Sequence, residues 1–179
     1  MSTASPQSTS LMQLLEVHDL LEELFLAHQT ALLDRNLPAA LSCLDQFAEL
    51  LAAHIADEEK VVLPAYAARV AIPEGGKPEF FHFEHTKLQS SIGEVRAMLL
   101  TLVPAGHTLE NGSMLAPVDP QHVDVRGLLE LLDQEASFKD LLRHHDARER
   151  RFLYPLLEAA LNEIEQQQIL VQVQLRSND

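Results

Sequence analysis

The sequence predicts an all-α protein, an antiparallel up-down four-helix bundle with an extra helical segment at its C-terminus. Three observations carry that expectation. Apolar residues recur at helical spacing in four stretches, proline- or glycine-bearing breakers separate those stretches, and period-2 alternation is confined to residues 169–175. Amphipathic helices of this kind bury their apolar stripes most simply against one another.

The elements follow in chain order. Residues 1–10 are rich in Ser, Thr and Pro and read as a disordered leader. Ser10-Leu-Met-Gln13 has the form of a capping box and opens the first helix. There Leu14, Leu21 and His28 fall seven apart, interleaved with Val17, Leu24 and Ala31, and this stripe is the expected seam. The helix ends near Asn36, and Pro38 suits the first turn of the second. On the second helix Phe47, Leu50, Leu51, His54, Glu58 and Val61 share a face, and Pro64 is expected to kink or end it. Pro73-Glu-Gly-Gly-Lys-Pro78 is a break, after which Phe81, His85, Leu88, Ile92, Val95, Leu99 and Leu102 mark a third helix. Residues 103–123 lack periodicity and form a long loop, of a length that in a compact domain is mobile or functional. A fourth helix starts near Asp124 and carries Phe138, Leu141, Leu142, His145, Glu149 and Phe152 as far as Pro155. Residues 156–175 give a mixed signal, read as a terminal helix that packs on the bundle or on another subunit. The bundle domain thus spans 11–162, and 163–179 is its tail.

Composition narrows the function. At 179 residues, 46% hydrophobic and 22% charged, the chain suits one globular domain. Its net charge of −14, from 27 acidic and 13 basic residues, opposes phosphate backbones and anionic lipid, so nucleic acid and membrane surfaces are poor partners. A lone Cys43 excludes an internal disulfide framework and a multi-cysteine metal site. Neither a signal peptide nor a membrane-spanning apolar run is visible, so the expected location is cytoplasmic, as a monomer or as a homo-oligomer joined through the tail. Nine histidines are left to explain.

An internal repeat accounts for two of them and points to two more. Phe47-x-x-Leu50-Leu51-x-x-His54-x-Ala56-x-Glu58 and Phe138-x-x-Leu141-Leu142-x-x-His145-x-Ala147-x-Glu149 align at a constant offset of 91 residues, and Pro64 aligns with Pro155. Each copy sets His and Glu four apart, one above the other on a helix face, inside an apolar stripe. Buried polar groups are costly unless partnered, and a metal ion is a partner that suits imidazole and carboxylate together. A third His-x-x-x-Glu, His18–Glu22, lies off the expected seam and reads as an ordinary i,i+4 surface pair. His28 and His85 replace apolar residues in the seams of the first and third helices. The candidate ligands are therefore His28, His54, Glu58, His85, His145 and Glu149, enough for two ions with each glutamate bridging. His82, Glu84 and His144 read as flanking or solvated, Asp57 and Glu59 as groups that orient the imidazoles, and His107 and His122 as loop residues.

These residues resemble the hemerythrin-like (HHE cation-binding) family. The matching pieces are Ala27-His28-Gln29, His54-Ile-Ala-Asp-Glu58-Glu59 with Leu63-Pro64, Glu84-His85-Thr-Lys-Leu88, and His145-Asp-Ala-Arg-Glu149 with Tyr154-Pro155. The resemblance implies two non-haem iron ions bridged by Glu58, Glu149 and an oxo or hydroxo group. It gives one iron His28 and His54, and the other His85 and His145. Oxygen-carrying members have a further histidine one turn before the third-helix ligand, where this chain has Phe81. Each iron then keeps an open position, which favours binding or sensing of dioxygen, nitric oxide or peroxide over oxygen storage. The alternatives are enzymatic turnover of peroxide or nitric oxide, iron donation, or an iron-responsive regulatory role. The donor types also suit manganese or zinc.

Overall fold

The computed structural model describes residues 10–103 and 123–176, and among these it is helical with no strand. Nearly all of the leader and the long loop, including His107 and His122, lies outside the described residues. A 3-10 turn, Leu11–Leu15, leads into α1 (Glu16–Leu33). Ser10 caps this turn through its side chain, which accepts from the Met12 N–H. After α2 (Leu37–Asp57), a π-helical turn, Glu58–Val62, runs into α3 (Leu63–Arg69). The chain then crosses through the Glu74–Gly76 turn to α4 (Pro78–Thr101). The second half repeats the first: α5 (Val125–Arg148), a π-helical turn, Glu149–Leu153, and α6 (Tyr154–Ala160), followed by α7 (Glu163–Arg176).

The prolines of the repeat neither end nor sharply break their helices. In each copy the backbone widens by one residue just ahead of the proline, so that Leu63 N–H bonds to the Glu58 carbonyl and Tyr154 N–H to the Glu149 carbonyl. Proline lacks an N–H and crowds the carbonyl four residues back, and a widened turn accommodates both defects. The two widened turns begin at the two glutamates.

A tight turn sets the register of α1 against α2. Arg35 adopts φ 56 and closes α1, with Asn36 N–H bonded to the Ala31 carbonyl and Arg35 N–H to that of Leu32. The Asn36 side chain then caps α2 by accepting from Ala39 N–H at 3.2 Å. Residues equally far from this turn therefore meet across the pair, as Phe25 meets Phe47 and His18 meets His54. Elsewhere Asp45 on α2 binds Arg96 on α4, and Glu94 on α4 accepts from Gln134 on α5.

Two apolar cores result. One joins Phe25, Phe47, Leu51, Leu88, Ile92 and Phe138, with the three phenylalanine rings in mutual contact. The other joins Leu11, Leu15, Val62, Tyr66, Phe81 and Tyr154, and α7 covers it with Ile169 and Leu170. The alternation at 169–175 is thus carried on a helix, because Ile169 and Leu170 together face this core. Each of the four long helices passes from one core to the other, and His18, Glu58, His85 and His145 lie in the zone between. Phe47 is fully buried at the centre of the first core. Phe47→Ala should cost about 3–5 kcal/mol in denaturant unfolding, whereas Leu26→Ala, at a site 63% exposed, should change stability by less than about 0.5 kcal/mol.

Candidate metal centre

Between the two cores lies a polar layer. Glu58, His85, His145 and Glu149 are all buried and offer donor atoms within 4.8 Å of one another, and His18, His54 and Glu149 form a second such group. The two groups share Glu149. Its Oε1 lies 2.5 Å from His145 Nε2, and its Oε2 lies 3.0 Å from His18 Nε2 and 3.9 Å from His54 Nε2. Glu58 divides the same way, with Oε1 3.8 Å from His54 and Oε2 3.0 Å from His85 and 4.0 Å from His145. Each carboxylate therefore turns one oxygen toward the pair His18 and His54 and the other toward the pair His85 and His145.

The layer is not satisfied by hydrogen bonds. Both oxygens of Glu149 and Nε2 of His145 are buried and have no hydrogen-bond partner, although imidazole nitrogens stand close by. The contacts are short but misaligned for an N–H donor, as expected when lone pairs converge on a common point rather than on a proton. An unpaired buried carboxylate is costly, and a cation at that point would remove the cost. The buried His/Glu cluster could hold a metal ion, and its arrangement is compatible with a dinuclear site.

Outside this layer, carboxylates hold three of the four rings from behind. His145 Nδ1 lies 3.2 Å from Glu84, His85 Nδ1 lies 3.1 Å from Glu59, and His18 Nδ1 pairs with Asp146. A carboxylate at Nδ1 fixes the tautomer that leaves Nε2 facing inward and makes the ring a stronger donor. Glu84 is in turn held by Arg148 at 2.9 Å, and Arg148 donates to the Gly75 carbonyl at 2.7 Å. That anchor depends on close backbone approach, since a Cβ at Gly75 would come within 2.9 Å of the Phe152 ring. The Tyr154 hydroxyl donates to Glu58 Oε1 at 2.7 Å.

Five of the six sequence-predicted residues, His54, Glu58, His85, His145 and Glu149, come together here. His28 does not. It lies in the first core end of α1, where Nδ1 donates to the Ala40 carbonyl at 2.8 Å and Nε2 lies 2.8 Å from Glu135 Oε1. His18, read from sequence as a surface pair with Glu22, takes the place in the layer. The reason is the α1–α2 turn: His28 is only a few residues from it and meets Ala40, while the partner of His54 must lie far back along α1. The inward stripe of α1 is the half-buried His18 with the buried Leu21, Phe25, His28 and Leu32, and it shares only positions 21 and 28 with the expected seam. Counting back from Asn36 to the level of His54 would have found His18. Glu59 orients an imidazole as expected, Glu84 proves to be buried, and Asp146 and Tyr154 had been passed over. His144 is exposed, and His82 is exposed beside Glu59 at 3.3 Å.

No protein-family model, no curated protein and no solved structure matches this chain.

The electrostatics of the layer follow from burial. Desolvation works against the His145 imidazolium, yet the adjacent Glu149 carboxylate, with Glu84 and Glu58 nearby, pushes its pKa up to about 10. Burial would raise the Glu149 carboxyl, but His145 and His18 hold it well below its usual range. Because the folded pKa of His145 exceeds its ordinary value of 6.5, its contribution to metal-free stability is complete below about pH 6.5. That contribution is lost as pH climbs through about 10. The melting temperature of metal-free protein should therefore fall between pH 7 and 10, with a shallower fall in His145→Gln. His28→Ala leaves the buried Glu135 with only the Gln29 amide as partner and should cost about 3 kcal/mol in denaturant unfolding at neutral pH.

Proposed function

We propose that the chain is a hemerythrin-like protein: an antiparallel up-down four-helix bundle that holds two iron ions and binds dioxygen, nitric oxide or peroxide. The bundle reading is supported by contacts whose numbers rise on one helix as they fall on the next. His18 and His28 of α1 meet His54 and Ala40 of α2, Asp45 and Glu58 of α2 meet Arg96 and His85 of α4, and Glu84 and Glu94 of α4 meet His145 and Gln134 of α5.

A single observation carries the metal reading. Two buried carboxylates divide their oxygens between the same two histidine pairs, the arrangement a bridged pair of cations requires. His18 and His54 would hold one ion, His85 and His145 the other, with Glu58 and Glu149 spanning both. When bound, such a pair supplies Lewis acidity and redox capacity toward small oxygen- or nitrogen-oxide ligands. The protein's own contribution is positioning. Glu84, Glu59 and Asp146 keep three rings turned inward, and Tyr154 donates its hydroxyl proton to Glu58 and so fixes that carboxylate. Phe81, fully buried in the second core with its ring 6.5 Å from that of His145, offers no donor atom.

The test is metal content and spectrum. Protein expressed with ample iron should carry about two irons per chain and change its near-ultraviolet and visible absorption when the reduced form meets air. His18→Ala and Glu149→Gln should lose iron and that change, while His28→Ala retains both, which separates His18 from His28 as the α1 ligand. Stoichiometric zinc with no response to oxygen or nitric oxide would count decisively against iron chemistry.

A further inference from the structure

A cavity of about 320 Å³ runs between α1 and α5, alongside the side-chain contacts of Gln29 with Lys139 and of His18 with Asp146. One end opens on His18, His54 and His145, and the other reaches Gln29 and Lys139. Its floor is apolar: Leu21 and Phe25 from α1, Leu51 from α2, Leu142 from α5. The volume is about ten times the roughly 30 Å³ one water occupies, far more than a diatomic molecule or peroxide needs. It falls in the range of sites that enclose small organic ligands.

The charges along the rim are unequal. Asp19 and Glu22 stand on the α1 bank, closer to the histidine end, and Arg150 is tied to Asp146 and Arg143 to Asp140. At the far end Lys139 donates to Gln29 Oε1 at 3.1 Å, the same amide donates to the buried Glu135 at 2.8 Å, and among the described residues no carboxylate pairs directly with Lys139. An anionic group placed at Lys139 gains that charge and avoids the acids nearer the site. An ammonium would be drawn to Asp19 or Glu22, leaving its tail to end against Lys139. From the level of Lys139 to that of His145, α5 rises about 9 Å. At about 1.2 Å per bond of extended chain, this is the reach of some seven or eight bonds.

We propose that this cavity is a binding site for a medium-chain aliphatic monocarboxylate, its carboxylate at Lys139 and its alkyl tail laid over Leu142, Phe25 and Leu21 toward His18 and His54. The site stands on the protein's own side chains. Only the statement that the tail points at a metal rests on the dinuclear reading.

Calorimetric titration of octanoate, octan-1-ol and octylamine into metal-free and iron-loaded protein tests it, with iron measured in parallel. Octanoate should bind both forms, octan-1-ol at least tenfold more weakly, and octylamine more weakly still. Lys139→Gln, at an exposed position, should lower octanoate affinity about tenfold with an unchanged melting temperature, and Lys139→Arg should restore it. Leu142→Trp, checked for its helical circular dichroism, should abolish binding by filling the floor. Absent octanoate binding to the folded wild-type protein, tighter binding of octylamine, or an unchanged affinity in Lys139→Gln would overturn the proposal. Octanoate binding in a protein that takes up no iron would sustain it and sink the metal reading. Iron uptake without octanoate binding would do the reverse.

Discussion

The structure is organised around one constraint: a layer of four imidazoles and two carboxylates placed between two apolar cores. Every long helix crosses this layer, so none can shift along its axis without withdrawing a donor from it. Such a layer is unfavourable by itself. Glu149 and His145 retain buried atoms without hydrogen-bond partners, and desolvation opposes the charge on both. The apolar packing on either side must therefore hold the layer closed, with Phe25, Phe47 and Phe138 on one side and Leu15, Val62 and Tyr154 on the other. The unmet demand is concentrated on Glu149 and His145 of the second copy, beside Glu58 of the first, and this buried cluster could hold a metal ion.

Local backbone chemistry then aims the donors. The two glutamates each open a widened helical turn, and the proline that makes this turn favourable lies six residues on in both copies. The repeat thus conserves more than a pair of ligands in register, since it also carries the backbone irregularity that presents the carboxylate. The supporting groups break the symmetry. Glu59 backs His85 from the first copy, but the corresponding position in the second copy is Arg150, which holds Asp146 instead, and Asp146 backs His18. Likewise Tyr154, which donates to Glu58, aligns with Leu63. The two ends of the layer are chemically distinct, and the cavity between α1 and α5 is lined by His18 and His54 from one pair and by His145 from the other.

Legibility from sequence followed the range of the interactions. The helices, their breaks and the paired His and Glu of α2 and α5 rest on spacings of a few residues, and they were readable as such. His85 was readable because it interrupts a clear apolar stripe. His28 and His18 were confused because both lie at heptad-like positions of the same helix, ten residues apart. Periodicity around a helix says which face a residue occupies and nothing about its height along the axis. Height is decided by the partner helix, here through the turn at Arg35 and Asn36, and it sent His28 to Glu135 and His18 to the layer. Glu84 and Asp146 were beyond reach for a related reason: a carboxylate hydrogen-bonded to a ring on another helix leaves no trace in local spacing.

The sequence by itself determined an all-helical chain, the repeat, and the chemical identity of five of the six donors that meet in the layer. It did so because helical periodicity and the cost of burying a polar group are both written in residue order. Only the tertiary structure decided which α1 histidine joins them, how each carboxylate divides its two oxygens, and where a cavity remains. Those outcomes depend on the relative heights of helices distant in sequence, and on packing that leaves α1 and α5 apart while α1 closes on α2. No pattern within a single helix encodes that relation.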